Sequence, residues 1–199
     1  MGGFWFVEIC CDNEFRGALD PIATIQSPPI CMNYSNPQEH VPEAERNNRV
    51  IKERVHACYH RLPYVHLSRT LTKYMVIECT KKLNYFPAKN GVSNYYSPRM
   101  ILHQQNINFD KNCKYVFGEY VQAHDEPTHS NTNEARSLDC IYLRPVSSSQ
   151  GGHELWHLTR NSILIYCRIT SIQITQDAIN MVHILAELDK MPSGLKLAS

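Results

Sequence analysis

The 199-residue sequence has no apolar run of the roughly 20 residues needed to span a bilayer. Its most apolar opening stretch, Phe4 to Cys11, is short, carries no basic flank and runs straight into Asp12, which suits a buried strand rather than a signal peptide. A soluble chain with no membrane partner is therefore expected. Glycine is sparse at 8 residues, and neither GxGxxG nor GxxxxGK[ST] occurs, which argues against the two common nucleotide-binding loops. No GxSxG elbow or catalytic-cysteine signature gives the Ser, His and Asp residues a hydrolase context. There is no CxxC pair either. The eight cysteines stand singly apart from Cys10-Cys11, so reduced thiols in cytosol or nucleus are expected rather than a disulfide scaffold. His56, Cys58 and His60 point around a helix instead of converging, so no zinc centre is expected from them. Internal repeats and low-complexity tracts are absent.

What the chain does contain is segregated charge. The net charge is only +1, but residues 63 to 115 hold eight basic and two acidic residues, while 1 to 38 and 116 to 199 are each acidic by three. The basic stretch can face a polyanion or form an ordinary solvated surface.

Hydrophobic periodicity divides the chain. Phe4 to Cys10 reads as a buried strand, Glu14 to Leu19 as a short helix stopped by Pro21, and Ile30 to Tyr34 as a second strand. Pro42 suits a first helical turn, and Ala44, Ile51, Val55, Cys58 and Leu62 form an apolar stripe that predicts a helix from Pro42 to Arg61. Leu67, Leu71, Met75, Cys79 and Leu83, spaced by four, predict a second helix ending before Pro87. Short β-branched and aromatic runs follow: Tyr115 to Ala123, Leu138 to Leu143, Glu154 to Leu158, Ile163 to Ile169 and Ile172 to Ile174. They predict a small barrel, with Tyr142, Trp156, Ile163 and Ile165 in or beside one core. Gln176 to Lys190 reads as a closing helix with Ile179, Val182 and Ala186 inward.

Asp12 falls at a predicted strand end and Glu45 on the first turns of the long helix, with 32 residues between them. Carboxylates so placed can hold the metal ions of a nuclease or transferase, or simply be solvated and capping groups. Arg49 and Lys52, four and seven residues beyond Glu45, share its face and can meet phosphate or pair with that glutamate.

The run His40-Val41-Pro42-Glu43-Ala44-Glu45-Arg46-Asn47-Asn48-Arg49-Val50-Ile51-Lys52-Glu53-Arg54 resembles the segment of copia-type retrotransposon integrases that carries their last catalytic carboxylate. Cys11-Asp12-Asn13-Glu14-Phe15 resembles the setting of their second acidic residue. The likeness continues through Lys82-Leu83-Asn84-Tyr85-Phe86-Pro87, Tyr96-Ser97-Pro98-Arg99-Met100, Phe117-Gly118-Glu119-Tyr120-Val121, Arg136 to Leu143 and Gly151-Gly152-His153-Glu154-Leu155, covering most of residues 10 to 175. Val41-Pro42-Glu43-Ala44 stands where the family has Asn-Gly, so Glu43 rivals Glu45, although on a helix it points about 200° away.

The resemblance implies an α/β chain with three parts. These are a partial ribonuclease H-like integrase core over residues 1–104, a small SH3-like β-barrel over 105–175, and a C-terminal helix and tail over 176–199. It implies that Asp12 and Glu45 are catalytic and hold Mg²⁺ or Mn²⁺, and that Arg46, Arg49 and Lys52 contact DNA phosphates. In the intact integrase it further implies polynucleotidyl transfer and homo-oligomerisation. The first catalytic Asp and a zinc-binding domain are expected before Met1, so the fragment is expected to be inactive alone; the alternatives are a non-catalytic nucleic-acid-binding module and an inert relic of a transposable element.

Overall fold

The computed structural model describes residues 5–25, 27–35, 42–89, 91–124, 137–146 and 151–195, apart from the side chain of Glu43. The fold is mixed α/β, with one parallel strand pair and one five-stranded antiparallel sheet. The first strand, β1 (Glu8–Asp12), runs parallel to β2 (Cys31–Ser35) with Ile9 opposite Met32. Between them a 3₁₀ turn (Asn13–Phe15) leads into helix α1 (Arg16–Ala23), which packs on β2. Pro21 lies inside α1 and does not stop it, contrary to the sequence expectation. The proline removes one hydrogen bond, the one its missing N–H would make to Gly17, and the helix needs only two further residues. The opening stretch is not buried either: Trp5, Phe6 and Val7 are all exposed. The described residues supply β1 with one neighbouring strand, which cannot cover a hydrophobic ribbon on both faces.

Helix α2 (Pro42–Tyr59) begins at Pro42 as its fixed φ favours. The described side chains of its first two turns, through Arg49, are exposed, Ala44 included. Beyond them Ile51, Val55 and Cys58 turn onto helix α3 (Arg69–Leu83). Ser68 caps α3: its fully buried hydroxyl accepts a bond from the Leu71 N–H at 3.2 Å. Leu67, Leu71, Met75 and Cys79 are buried on one stripe, as the four-residue spacing requires. Two short helices, α4 (Pro98–His103) and α5 (Phe109–Asn112), carry the chain to the sheet.

The sheet comprises β3 (Tyr120–His124), β4 (Ser137–Pro145), β5 (His153–His157), β6 (Ser162–Tyr166) and β7 (Ile169–Ser171), in the order β6-β5-β4-β3-β7. Four strands form a meander, and the last returns to the free side of the first. The run expected as one strand, Ile163 to Ile169, is two strands broken at Cys167-Arg168. Ile172 to Ile174 is not a strand, although the Ile172 N–H still bonds the Tyr120 carbonyl at 3.1 Å. Helix α6 (Gln176–Leu188), capped by Thr175, buries Val182 and Ala186 completely and Ile179 in part.

Strand alternation sends side chains to two cores. On the helix side, Ile141, Leu143 and Trp156 meet Val55, Leu71 and Met75 of α2 and α3 and Val182 of α6. On the other side Val121, Cys140, Tyr142, Leu155 and Ile169 cluster with Tyr115. The expectation that Tyr142, Trp156, Ile163 and Ile165 lie in or beside one core fails for Tyr142. Trp156 pairs across the ladder with Ile141, and Tyr142 with Leu155, so Trp156 and Tyr142 point to opposite faces. Ile163 and Ile165 stand exposed on edge strand β6. Residues from all three expected segments meet in the helix-side core. No helix among the described residues is long and apolar enough to cross a membrane.

Candidate nucleic-acid interface

Asp12 ends β1 and precedes the 3₁₀ turn in extended backbone, with its carboxylate exposed. Glu45 is exposed on the first turn of α2. Glu45, Asn48, Arg49, Lys52, Glu53 and His56 line one concave face of α2, and Asp12 is not among the described residues that line it. Arg49 reaches Glu53 at 3.5 Å, a solvent-exposed pair worth only a few tenths of a kcal/mol. Arg46 is exposed on the same helix and Lys52 is half-buried.

Mg²⁺ requires near-octahedral oxygen coordination and is held loosely by one or two carboxylates. Among the described residues no three His, Cys, Asp or Glu side chains come together. Asp12 and Glu45 alone would hold such an ion only loosely.

Cations of the basic stretch gather elsewhere, where the end of α3 meets β4. Glu78 of α3 is buried and pairs through Oε1 with Lys82 at 3.4 Å; burial pushes its carboxyl pKa up, against the pull of Lys82, Lys81 and Arg144. Arg144 of β4 grips Glu154 of β5 in a two-pronged contact, both bonds 2.8 Å, and lies over the Tyr74 ring at 5.4 Å. The Lys81 ammonium donates to the Pro145 carbonyl at 3.5 Å. Burial lowers the Lys81 pKa; Glu78 opposes that shift, and Arg144 and Arg99 reinforce it by repulsion. Four cations thus surround two carboxylates here. The local field is positive.

Beside this cluster a recess of about 290 Å³ opens between the α4–α5 segment and the β4–β5 connection. Arg99 and Lys111 line it with the carboxamides of Gln105, Asn106, Asn108 and Asn112 and the backbone of Gly151 and Gly152. The described lining contains two cations, four carboxamides and no carboxylate. Arg99 lies 5.9 Å from the Tyr85 ring, and its Nε is buried without a hydrogen-bond partner among the described residues. Asn108 caps α5 by accepting from the Lys111 N–H at 3.1 Å, which fixes the start of that turn. Phe86 and Phe109, both exposed, lie 6.1 Å apart in a tilted pair that joins α5 to the chain after α3. Such a surface offers donors to phosphate oxygens and ring faces to bases.

Lys111, Lys81 and Arg144 lie outside the motifs, and Arg99, although within Tyr96 to Met100, is not marked there as a site residue. The charge of residues 63 to 115 pointed to Arg99, Lys111 and Lys81, whereas Arg144 and Glu154 meet only through strand pairing. No protein-family model matches the chain, and no curated protein sequence matches it.

Proposed function

We propose that this chain is part of a copia-type retrotransposon integrase and that, by itself, it binds DNA through the recess lined by Arg99 and Lys111. That recess is the observation that carries the reading: it concentrates cations and carboxamides where the described lining supplies no acid. Phosphate contacts of this kind position a protein on DNA without reading sequence.

The wider architecture supports the same reading. Asp12 at the end of β1 and Glu45 on the first turn of α2 support the reading of these carboxylates as part of a ribonuclease H-like core. The return of β7 beside β3 in the five-stranded antiparallel sheet supports the reading of this part as SH3-like. In an intact integrase, Asp12 and Glu45 would contribute to holding Mg²⁺ or Mn²⁺, and Arg46, Arg49 and Lys52 would lie along the DNA. Binding rather than end joining is assigned to the chain alone, because two carboxylates hold Mg²⁺ loosely.

The test is duplex DNA binding by fluorescence anisotropy across a range of salt concentrations. Affinity should fall steeply with salt and vary little with sequence, and Arg99→Gln or Lys111→Gln should each reduce the slope of log K against log salt by about 1. Lys190→Gln, just past the end of α6 and outside the recess lining, should leave it unchanged. A flat salt dependence, or slopes unaltered by both recess variants, would remove the proposal.

A further inference from the structure

Helices α2 and α3 bring two thiols together. Cys58 and Cys79 are in hydrogen-bond contact, and both line a recess of about 270 Å³ with Arg54, Arg61, Glu78 and Lys82. Three cations thus face one carboxylate in that lining. Glu78 is already bridged to Lys82. The Cys79 thiol has two acceptors in reach, the Cys58 sulfur and the Arg54 carbonyl at 3.8 Å, and its single hydrogen serves one at a time. Once Cys58 ionises, the thiolate is the stronger acceptor.

The two sulfurs are therefore unequal. The hydrogen bond from Cys79, aided by Arg61 and Lys82 and opposed by burial, brings the Cys58 pKa down to about 7. Cys79 is shifted upward by the same bond and by burial. A nucleophilic thiolate beside a protonated thiol is the arrangement that disulfide exchange uses.

We propose that Cys58 and Cys79 form a thiol–disulfide exchange site for small anionic disulfides of the glutathione type. The Cys58 thiolate attacks one sulfur of the small disulfide, the S–S bond breaks, and one half leaves as thiolate. Cys79 then gives its proton to solvent and attacks the Cys58 sulfur of the mixed disulfide, expelling the second half. The protein loses two electrons and two protons, and the small disulfide is reduced to two thiols. The product is a covalent tie between α2 and α3. Arg54, Arg61 and Lys82 favour a disulfide bearing carboxylates.

The test treats the reduced full-length chain with glutathione disulfide at pH 7, traps remaining thiols by alkylation and maps them by mass spectrometry. Exposed Cys10, Cys31, Cys113 and Cys167 serve as internal references. At pH 7 about half of Cys58 is thiolate against a few per cent of an ordinary cysteine, while the lower pKa reduces intrinsic nucleophilicity, leaving a net advantage of roughly threefold. The expected results are a Cys58–Cys79 linked peptide in the native chain, a lasting glutathione adduct on Cys58 in Cys79→Ser, and an unreacted Cys79 in Cys58→Ser. Should either variant fail to fold, the native chain still decides: Cys58 alkylation should titrate near pH 7, and cystamine, a cationic disulfide, should react more slowly than glutathione disulfide at low salt. Adducts on the four exposed cysteines without a Cys58–Cys79 link, a Cys58 no faster than those references, or cystamine reacting as fast would each overturn the proposal.

Discussion

Replacing Gly118 by alanine probes the joint between the helices and the sheet. Gly118 has φ +82°, donates its N–H to the Tyr142 carbonyl at 2.9 Å, and accepts the buried Tyr64 hydroxyl at 3.2 Å. An L side chain at that φ costs about 1–2 kcal/mol. A Cβ there would also sit 2.2 Å from Leu62 Cδ2, well inside contact distance. Leu62 is only half-buried and its methyl can rotate away, so the steric cost lies near the low end of overpacking, about 1 kcal/mol. Together these give about 2–3 kcal/mol, which lowers Tm by about 4–12 °C in a chain of this size. The assay is thermal unfolding by circular dichroism, supported by urea titration. In a Leu62→Ala background the contact is gone, and Gly118→Ala should cost only the conformational part. A Gly118→Ala chain within about 0.5 kcal/mol of the parent would refute the strain argument. An identical cost in both backgrounds would refute the contact.

Two further outcomes test the cores and the buried acid. Trp156→Ala should cost about 3–5 kcal/mol in urea titration, whereas Ile165→Ala on the exposed edge should stay within about 0.5 kcal/mol; equal losses would mean that β6 is covered rather than an open edge. Glu78 holds its proton to higher pH in the folded chain than in the unfolded one, so folding stability should fall as pH rises above the ordinary glutamate range near 4.3. Glu78→Gln should flatten that decline, measured by urea unfolding between pH 4.5 and 7; a slope that persists would assign the effect elsewhere.

The three longest helices were legible because their signals are local. Pro42, the four-residue spacing from Leu67 to Cys79, and Val182 with Ala186 each report a neighbour one turn away, and the structure keeps all of them. Strand existence was also legible from composition. Facing was not, because a strand residue's side depends on register with a partner far along the chain. Tyr142 and Trp156 are both large and β-prone, yet ladder pairing with Leu155 and Ile141 sends them to different cores. The candidate site divides the same way. Asp12, Glu45, Arg49 and Lys52 could be named from motif and helical spacing. The Arg144–Glu154 grip needed the pairing of β4 with β5, and the Cys58–Cys79 contact needed the packing of α2 on α3.

The return of β7 to the side of β3 has a consequence for synthesis. Val55, Leu71 and Met75 leave the ribosome long before Trp156 and Val182, the residues that cover them. The roughly 130 residues between Val55 and the end of α6 take about 7–26 s to make at 5–20 residues per second. Until β4 and β5 emerge the apolar stripes of α2 and α3 have only each other, and until α6 emerges they lack Val182. Stripes waiting on partners so distant in sequence form slowly and expose sticky surface meanwhile, so folding of this region is gated by translation of α6. Cutting the chain between β6 and α6 would therefore leave both early helices without the Ala178, Val182 and Leu185 side of their core, whatever the stability of the finished fold.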